Sequence, residues 1–473
     1  MADNLGWGAI LQDSTTRAIV QENLLTCTFN DALFPALIYR NEVEDQDWPD
    51  NVGDDMIFTG DGLIAPKMRA LAPNADPAPS TFSREQWEAT LRPYGDMIPI
   101  HLPSSQNAIA SLLLDNAKTL GMSGAQSLNR IVRNNFYNAA MSGNTLCDGG
   151  QGPTSTLSVK WLNGFTRARR PDLAAGSAVR FSAVSASNPL KVVVTTTTGP
   201  SAVTVTGFSP TTPGDEIGPG TLTLSGNVTV NDRAAVVASD GSTIVRVGGG
   251  ATDDALTSAN LFTYSSIRSA VASMRQNVVP TYPDGSYHIH LDPKSEDQIF
   301  GDFEFQRLQQ GVPDSLAYKN MVIKYALGLA FFRNEEAPTP ESTTWAGNTD
   351  GTFSGQAFTQ DDPFAGEVWN ASGVGIHKPL IIGYGGLKEY TQPIEGAQTV
   401  VGLNGKMVPA KIVNGGLEVM ARGIKMIFAA PVDALQQMVR VSWYYRGAWA
   451  FRTDSATGGL QRNKRVMVVS HGS

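Results

Sequence analysis

The chain has 473 residues, of which 41% are hydrophobic and 17% charged, and a formal net charge of −8. This length predicts two or three domains or one elaborated domain, and the low charge content fits either a large core or surfaces buried against other chains. The acidic balance argues against a primary nucleic-acid binder, and two cysteines, Cys27 and Cys147, supply neither a disulfide framework nor a metal-ligand spacing.

Residues 1–55 predict an N-terminal arm with one or two short helices, because short apolar clusters are followed by the acidic run NEVEDQDWPDNVGDD. The acidic run (41–55) predicts a solvated, poorly ordered segment; attraction to a basic surface on a partner is the alternative. The sequence starts without a basic and apolar leader, and no window approaches the roughly 18 apolar residues of a membrane span. We therefore expect a soluble protein that is made in the cytosol.

Residues 56–103 predict an extended hairpin. The stretches MIFTGDGLIAPKMRAL and QWEATLRPYGDMIPIHL have the composition of strands, and the segment between them is rich in Pro, Ala and Ser, as loop tips are. Two strands joined by so long a tip form a protruding hairpin rather than a tight turn.

Residues 104–150 carry the longest helical signal in the chain. Apolar residues recur at helical spacing after Ser104 or Ser105, either of which can cap a helix. The segment GMSGAQ (121–126) lies inside this pattern and predicts either a kink or a break.

Residues 151–254 are almost wholly β-like. Segments such as KVVVTTTT and TLTLSGNVTV alternate with Gly and Pro turns, which predicts an antiparallel sheet or a small barrel. We interpret this stretch as a β-sheet module set between helical elements. A helix is expected over residues 255–276, inside a mixed α/β region that covers 255–435. Residues 436–473 contain two alternating segments joined by DSATGGLQRN, which predicts a long C-terminal hairpin. The fold class is therefore α+β.

His290, Asp292 and His377 are the sharpest candidates for a catalytic site. In YHIHLDP, His290 and Asp292 match the start of a two-histidine, one-carboxylate iron site, with His377 as the distal ligand. The alternative is structural: Asp292 caps a helix that starts at Pro293 and has Glu296 in its first turn. The structural interpretation is the stronger one, so we expect no metal, no cofactor and no enzymatic activity.

Other chemistry finds little support in the sequence, which contains neither a G-x-S-x-G nucleophile elbow nor a G-x-x-x-x-G-K-[ST] phosphate loop. The aromatic residues of WYYRGAW (443–449) can stack on bases or sugars, but on alternating strands they more often fill a sheet face. The segment QRNKR (461–465) predicts a turn with solvated charges, and a nucleic-acid contact is the alternative.

The order of these parts resembles the major capsid protein of tailed bacteriophages, which has the Hong Kong 97 fold. The likeness covers most of the chain, lies in architecture and loose local patterns, and in detail is most similar to the branch of the phage N4 coat protein. The resemblance implies an arm (1–55), an extended loop (56–103), a peripheral-domain spine helix (104–150), a β-rich elaboration (151–254), an axial domain (255–435) and a closing peripheral-domain hairpin (436–473).

The resemblance further implies a structural protein that self-assembles into the icosahedral shell around a phage genome. It would be made in the host cytoplasm and reside in the virion. Its partners would be copies of itself in hexamers and pentamers, a separate scaffolding protein, the portal and a decoration protein, with weak non-specific contact to packaged DNA and no membrane. The candidates for subunit contacts are Met56, Ile57, Phe58, Lys67, Arg69, Trp87, Arg92 and Tyr94.

Two other functions remain as alternatives. A decoration or tail protein of the virion would form a stable monomer or trimer. A non-haem iron oxygenase would bind stoichiometric metal through His290, Asp292 and His377.

Overall fold

The computed structural model describes residues 38–49, 53–61, 68, 76–77, 80, 84–101, 109–170, 178–310, 325–334, 336–340, 367–391, 398–401, 407–413, 416–421, 424–429, 438–452 and 462–473. The α-helices are α1 (Ile109–Met141), α2 (Tyr264–Gln276), α3 (Pro293–Gly301) and α4 (Phe303–Gln310). The strands are β1 (Glu44–Asp47), β2 (Asp55–Asp61), β3 (Arg84–Thr90), β4 (Arg92–His101), β5 (Asn144–Leu146), β6 (Gln151–Val159), β7 (Arg167–Arg169), β8 (Ala178–Val179), β9 (Phe181–Ala183), β10 (Leu190–Thr196), β11 (Gly199–Pro210), β12 (Gly220–Val230), β13 (Ala235–Ala238), β14 (Ile244–Arg246), β15 (Tyr287–Leu291), β16 (Tyr325–Ala326), β17 (Leu329–Arg333), β18 (Ile376–His377), β19 (Leu380–Ile382), β20 (Leu387–Thr391), β21 (Gln398–Val401), β22 (Met407–Val413), β23 (Gly416–Ala421), β24 (Ile424–Ala429), β25 (Met438–Phe451) and β26 (Val466–Gly472). The fold is thus mixed α+β, as predicted.

The chain separates into two compact units. The first comprises Met1–Met56, Glu88–Val132 and Lys388–Ala450, and the second comprises Ile57–Trp87, Arg133–Leu387 and Phe451–Ser473. Each unit therefore combines segments that lie far apart in the sequence.

An eight-stranded sheet forms the frame of the first unit, in the order β1-β20-β25-β24-β23-β22-β21, with β4 also paired to β25. Strand β25 buries every second residue, including Val441, Trp443 and Tyr445, as a strand does when one face of its sheet covers a core. Strand β4 is antiparallel to β25 from Met438↔His101 to Gly447↔Arg92. The sheet therefore confirms the predicted strand at LRPYGDMIPI.

Helix α1 is continuous for 33 residues, which corresponds to a length of about 50 Å at the usual rise per residue. The predicted long helix is confirmed, and the break that GMSGAQ allowed does not occur. Gly124 of this helix faces Trp443, and a Cβ atom at this position would lie 3.4 Å from the indole ring, at van der Waals distance.

Residues 38–49 correct the expectation of a poorly ordered acidic arm. Residues Tyr39–Glu42 form a 3₁₀ turn, and β1 pairs in parallel with β20. Tyr39 and Trp48 are 0% and 2% exposed, so two buried aromatic side chains flank the acidic strand. Their burial anchors a segment whose charge alone predicted solvation.

The second unit contains a closed antiparallel sheet in the order β5-β13-β10-β11-β12-β6. The isolated bridge Cys147↔Val159 and the bond from Lys160 N–H to Leu146 O (2.9 Å) join β5 to β6 and close the ring of strands. The pairs Ala235↔Leu146 and Val237↔Asn144 join β5 to β13, which are the first and last strands of this closed sheet along the sequence. Alternate residues point inward and form one apolar cluster, which confirms the prediction of a β-rich stretch.

A second sheet of this unit has the order β14-β26-β19-β15-β17-β16, with β18 also paired to β26. Buried side chains of α2, α3, β15 and β26 share one apolar cluster. The helix expected over 255–276 begins only at Tyr264, because Thr263 caps it by accepting a hydrogen bond from the Ser266 N–H.

The predicted C-terminal hairpin is wrong. Strand β25 pairs with β4 and β24, whereas β26 pairs with β14, β18 and β19 in another sheet. All seven residues of β26 are buried, and a strand buried on both faces belongs in the centre of a sheet rather than at the free edge that a terminal hairpin provides.

Candidate functional site

Strands β2 and β3 form a hairpin, and β8 adds a third strand in parallel with β3. The predicted returning strand, QWEATLRPYGDMIPIHL, is divided: its first part belongs to β3, and its second part is β4, which pairs with β25 in another sheet. Strand β2 alternates between exposed and half-buried residues. Ile57 is 46% exposed, whereas Phe58 is half-buried and stacks on Trp87 of β3, with ring centroids 6.4 Å apart. A narrow sheet with an aromatic pair and an exposed isoleucine resembles part of an interface more than a complete core.

Charged side chains hold the hairpin strands where they adjoin the connecting segment 62–83. Glu85 of β3 is 1% exposed and lies 2.7 Å from Nε of Arg452. Arg84 and Asp61, both more than half exposed, form an ion pair of 2.9 Å between the two strands. The pair between Glu85 and Arg452 anchors this end of β3, while the exposed pair adds little stability because water screens it.

The predicted contact residues fall into three groups. Ile57, Phe58 and Trp87 lie in the second unit on the hairpin strands. Met56, Arg92 and Tyr94 lie in the first unit. There Arg92 is exposed and Tyr94 packs edge-on against Trp449 with centroids 5.5 Å apart, and burial raises the pKa of the Tyr94 hydroxyl. Lys67 and Arg69 lie outside the described residues.

The root of the N-terminal segment is held by a buried ionic cluster that sequence reasoning missed. Glu389 accepts a hydrogen bond from Nε of Arg40 (2.8 Å) and another from the hydroxyl of Tyr445 (2.5 Å). The guanidinium of Arg40 also lies 5.2 Å from the centre of the Tyr445 ring. Burial raises the pKa of Glu389 despite the opposing charge of Arg40. Tyr39 and Trp48, on either side of the acidic strand β1, were the signal that could have revealed this anchor.

The histidine candidates form a hydrogen-bonded network rather than a ligand set. Asp292 caps α3 by accepting from the Ser295 N–H, and Pro293 begins the helix, as the structural alternative predicted. His377 Nδ1 donates to Asp292 Oδ2 at 2.8 Å, and both side chains are almost fully buried. The neighbour of His290 is instead the amide of Asn334, at 3.4 Å.

His471, which the sequence did not single out, completes this network. Its Nε2 lies 2.7 Å from Oγ of Ser295, which also contacts Asp292, and its ring stacks on His377 with centroids 5.3 Å apart. Burial raises the pKa of Asp292, but hydrogen bonds from His377 and Ser295 lower it to about 2. Burial and the neighbouring His377 lower the pKa of His471 to about 4.

This network ties the C-terminal strand β26 to the first turn of α3. Within the described ranges, no group of three or more His, Cys, Asp or Glu side chains is arranged to hold a metal ion. Among the helices that the structure describes, none has the length and apolarity needed to cross a bilayer. The hydrogen bonds among Asp292, Ser295, His377 and His471 thus form a buried structural link.

Comparison with known proteins gives matches among solved structures alone. No family model matches the sequence, and no curated protein matches it. The capsid of Ralstonia phage GP4 is 9% identical, with 91% of this chain and 87% of that chain covered and a TM-score of 0.45. An acid-stable capsid of the Helicobacter pylori bacteriophage KHP30 is 7% identical, with 91% and 88% covered and a TM-score of 0.45. The capsid asymmetric unit of cyanophage Pam1 is 9% identical, with 93% and 92% covered and a TM-score of 0.44. At such identities no residue of this chain receives a role by alignment.

Proposed function

We propose that the chain is the major capsid protein of a tailed bacteriophage, with a Hong Kong 97-like fold close to the branch of the phage N4 coat protein. In this role it builds the icosahedral shell around the genome and performs no enzymatic reaction. The observation that carries the proposal is the β2–β3 hairpin, which presents Ile57 and the stacked Phe58 and Trp87 on a sheet of three short strands.

Such a hairpin gains stability when a neighbouring copy covers it. Burying about 100 Å² of additional apolar surface contributes about 2–3 kcal/mol. One such contact is weak, but a shell repeats it around every five-fold and six-fold ring, so the total stabilisation grows with the number of closed contacts. The contact is heterologous, because the hairpin of one copy meets a different surface of the next.

The net charge suits a shell that encloses DNA. The chain carries a net charge of −8, and a protein with an acidic balance binds phosphates weakly, so that packing and release of the genome are not opposed by tight contacts. We propose hexamers and pentamers of this chain, assembled with a separate scaffolding protein around a portal and decorated by a further protein.

The alternative of an iron oxygenase has no support from the arrangement of its three candidate residues, because Asp292 and His377 bond directly to each other and His290 faces Asn334. A decoration or tail protein has no observation in its favour over a shell subunit.

Negative-stain electron microscopy of the purified chain, together with its sedimentation profile, tests the proposal. Closed shells, or rings of five and six copies, are expected from the chain alone or after addition of the scaffolding protein. A homogeneous monomer or trimer under both conditions contradicts it. Uniform shells formed by the chain alone would contradict only the need for a separate scaffold.

A further inference from the structure

The closed sheet of the second unit has a hydrophobic core of its own. Its inward-facing residues form one buried cluster, which includes Leu157, Val192, Val205, Leu222 and Val236. The sheet β14-β26-β19-β15-β17-β16 and its helices share a different cluster, and no residue belongs to both. A closed sheet also leaves no open edge to be completed by a neighbour. These are the properties of a part that folds by itself.

Arg233, in the turn between β12 and β13, reaches from the closed sheet to carboxylates outside it. Its Nε and Nη2 lie 2.7 and 2.6 Å from the two carboxylate oxygens of Asp254, and Nη2 lies 2.5 Å from Oε2 of Glu367. Lys160, at the end of β6, also reaches Glu367, at 2.5 Å. The φ angle of Arg233 is 59°, a conformation that residues with a Cβ atom seldom adopt. This strained backbone directs the guanidinium at both carboxylates.

Arg462 makes the reciprocal contact from outside the closed sheet. It precedes β26, and its guanidinium lies 2.7 Å from Oδ2 of Asp240 and 2.7 Å from the carbonyl oxygen of Arg167. It donates a further hydrogen bond to the carbonyl oxygen of Gly164 at 3.2 Å and lies 4.7 Å from the centre of the Phe181 ring. All four partners are close in sequence to strands of the closed sheet and its companion pair β7–β9.

A small groove lies where the closed sheet meets the rest of the unit. Trp161 and Val237 of the closed sheet line it together with Met141, Ile244 and Arg246 from outside, and it has about 30 Å³ of space that water can occupy. Side chains therefore do not fill the seam completely at this point. Ion pairs and hydrogen bonds across such a seam permit movement between the parts that they join.

We propose that the closed sheet, residues 144–240, is a separately folded module that Arg233 and Arg462 hold against the rest of the second unit as two reciprocal clasps, and that rising ionic strength loosens it. The ion pair of each clasp is partly open to solvent: the side chains of Arg233 and Asp254 are 17% and 20% exposed, and those of Arg462 and Asp240 are 11% and 17% exposed. Salt therefore weakens both ion pairs, although less than it weakens fully exposed ones. This inference does not rest on the proposed function.

Hydrogen exchange of the full chain tests the inference. Two amides report on the seam: the Gly143 N–H, which bonds to Asn163 O, and the Arg462 N–H, which bonds to Asp240 O. Amides of β10 and β12 report on the interior of the module. In Arg233→Gln/Arg462→Gln, we expect the seam to exchange at least ~10-fold faster while β10 and β12 keep their protection. In the unaltered chain, raising the NaCl concentration from about 0.05 to about 1 M should also make the seam amides exchange faster.

Arg333→Gln is the matched control, because Arg333 makes an equally short two-pronged pair with Glu296 away from the seam, at 2.7 and 3.0 Å. It should leave both sets of amides unchanged. Equal acceleration of β10 and β12 would show that the sheet does not fold separately and would overturn the inference. So would a seam that responds neither to the double substitution nor to salt. The salt series needs no variant, so the test holds even where the double variant fails to fold.

Discussion

The carboxylate of Glu389 lies 2.8 Å from Nε of Arg40, although the two residues are separated by 349 positions in the sequence. Both side chains are at most 4% exposed, and Tyr445 supplies a second hydrogen bond to the same carboxylate. The N-terminal segment is therefore attached to its sheet by a buried charge pair as well as by the strand pairing of β1 with β20.

Removing one partner of this pair should release β1. In Arg40→Ala the buried carboxylate of Glu389 loses its cation, and we expect a loss of about 3–5 kcal/mol in the local stability of β1. Arg40→Met/Glu389→Gln removes both charges and keeps an acceptor for Tyr445, so its cost should be clearly smaller. Hydrogen exchange of residues 44–47 measures both. A double variant at least as damaged as Arg40→Ala would contradict the assignment of the loss to an unpaired charge.

Replacing the exposed isoleucine of the hairpin should weaken assembly without unfolding the chain. Ile57→Thr removes apolar surface but keeps a β-branched side chain in β2. We expect unchanged circular dichroism and a lower yield of shells or rings, measured by sedimentation. Val193→Thr is the matched control, because Val193 is 43% exposed on the closed sheet and Ile57 is 46% exposed. Equal effects of the two substitutions would show that the hairpin has no special part in the contact.

Acid should loosen strand β26. Because the pKa of His471 is lowered to about 4 and that of an unfolded histidine is about 6.5, the unfolded state takes up the proton first as the pH falls. The contribution of neutral His471 to the free energy of unfolding is complete above about pH 6.5 and declines by about 3 kcal/mol as the pH falls towards 4. The pKa of Asp292, about 2, adds a further loss below about pH 4.

Hydrogen exchange of residues 466–472, followed between about pH 7 and pH 4 and compared at each pH with His471→Gln, measures this dependence. The variant should lack the decline, and His288→Gln, which removes a histidine elsewhere, should retain it. A decline of the same size in His471→Gln would assign the acid sensitivity to other groups.

The thiol of Cys147 should be nearly inert in the folded chain. It is buried, and burial raises its pKa to about 12. At about pH 8 its thiolate fraction is therefore lower by about three orders of magnitude than that of a peptide cysteine with a pKa near 8.5. In a Cys27→Ser background, reaction with a disulfide reagent should be slow in buffer and fast in denaturant. A rate in buffer equal to that of a free peptide thiol would contradict the burial.

Local patterns were sufficient to predict the elements whose signals lie within a short window. The 3.6-residue recurrence of apolar side chains predicted α1, the Val and Thr alternation predicted the closed sheet, and Asp292 followed by Pro293 predicted the start of α3. In each case the information needed lies within one element or one turn.

Pairings between distant segments could not be predicted in this way. The sequence of β26 predicted one strand of a hairpin. Its partners β14, β18 and β19, however, depend on the topology of the whole unit. For the same reason no local pattern indicated that His471 would contact Ser295, 176 positions away. The acidic strand β1 was misjudged because its charge was weighed without the two buried aromatic residues that flank it.

The neighbouring positions of β5 and β13 have a consequence for how this chain can change. The polypeptide enters the closed sheet at Asn144 and leaves it near Val237, and these two residues face each other across one ladder. Everything between them could be shortened, exchanged for another compact domain or replaced by a turn of a few residues without moving the flanking segments. The chain therefore has a natural grafting point, at which related proteins or engineered variants can differ by about a hundred residues and still share one frame.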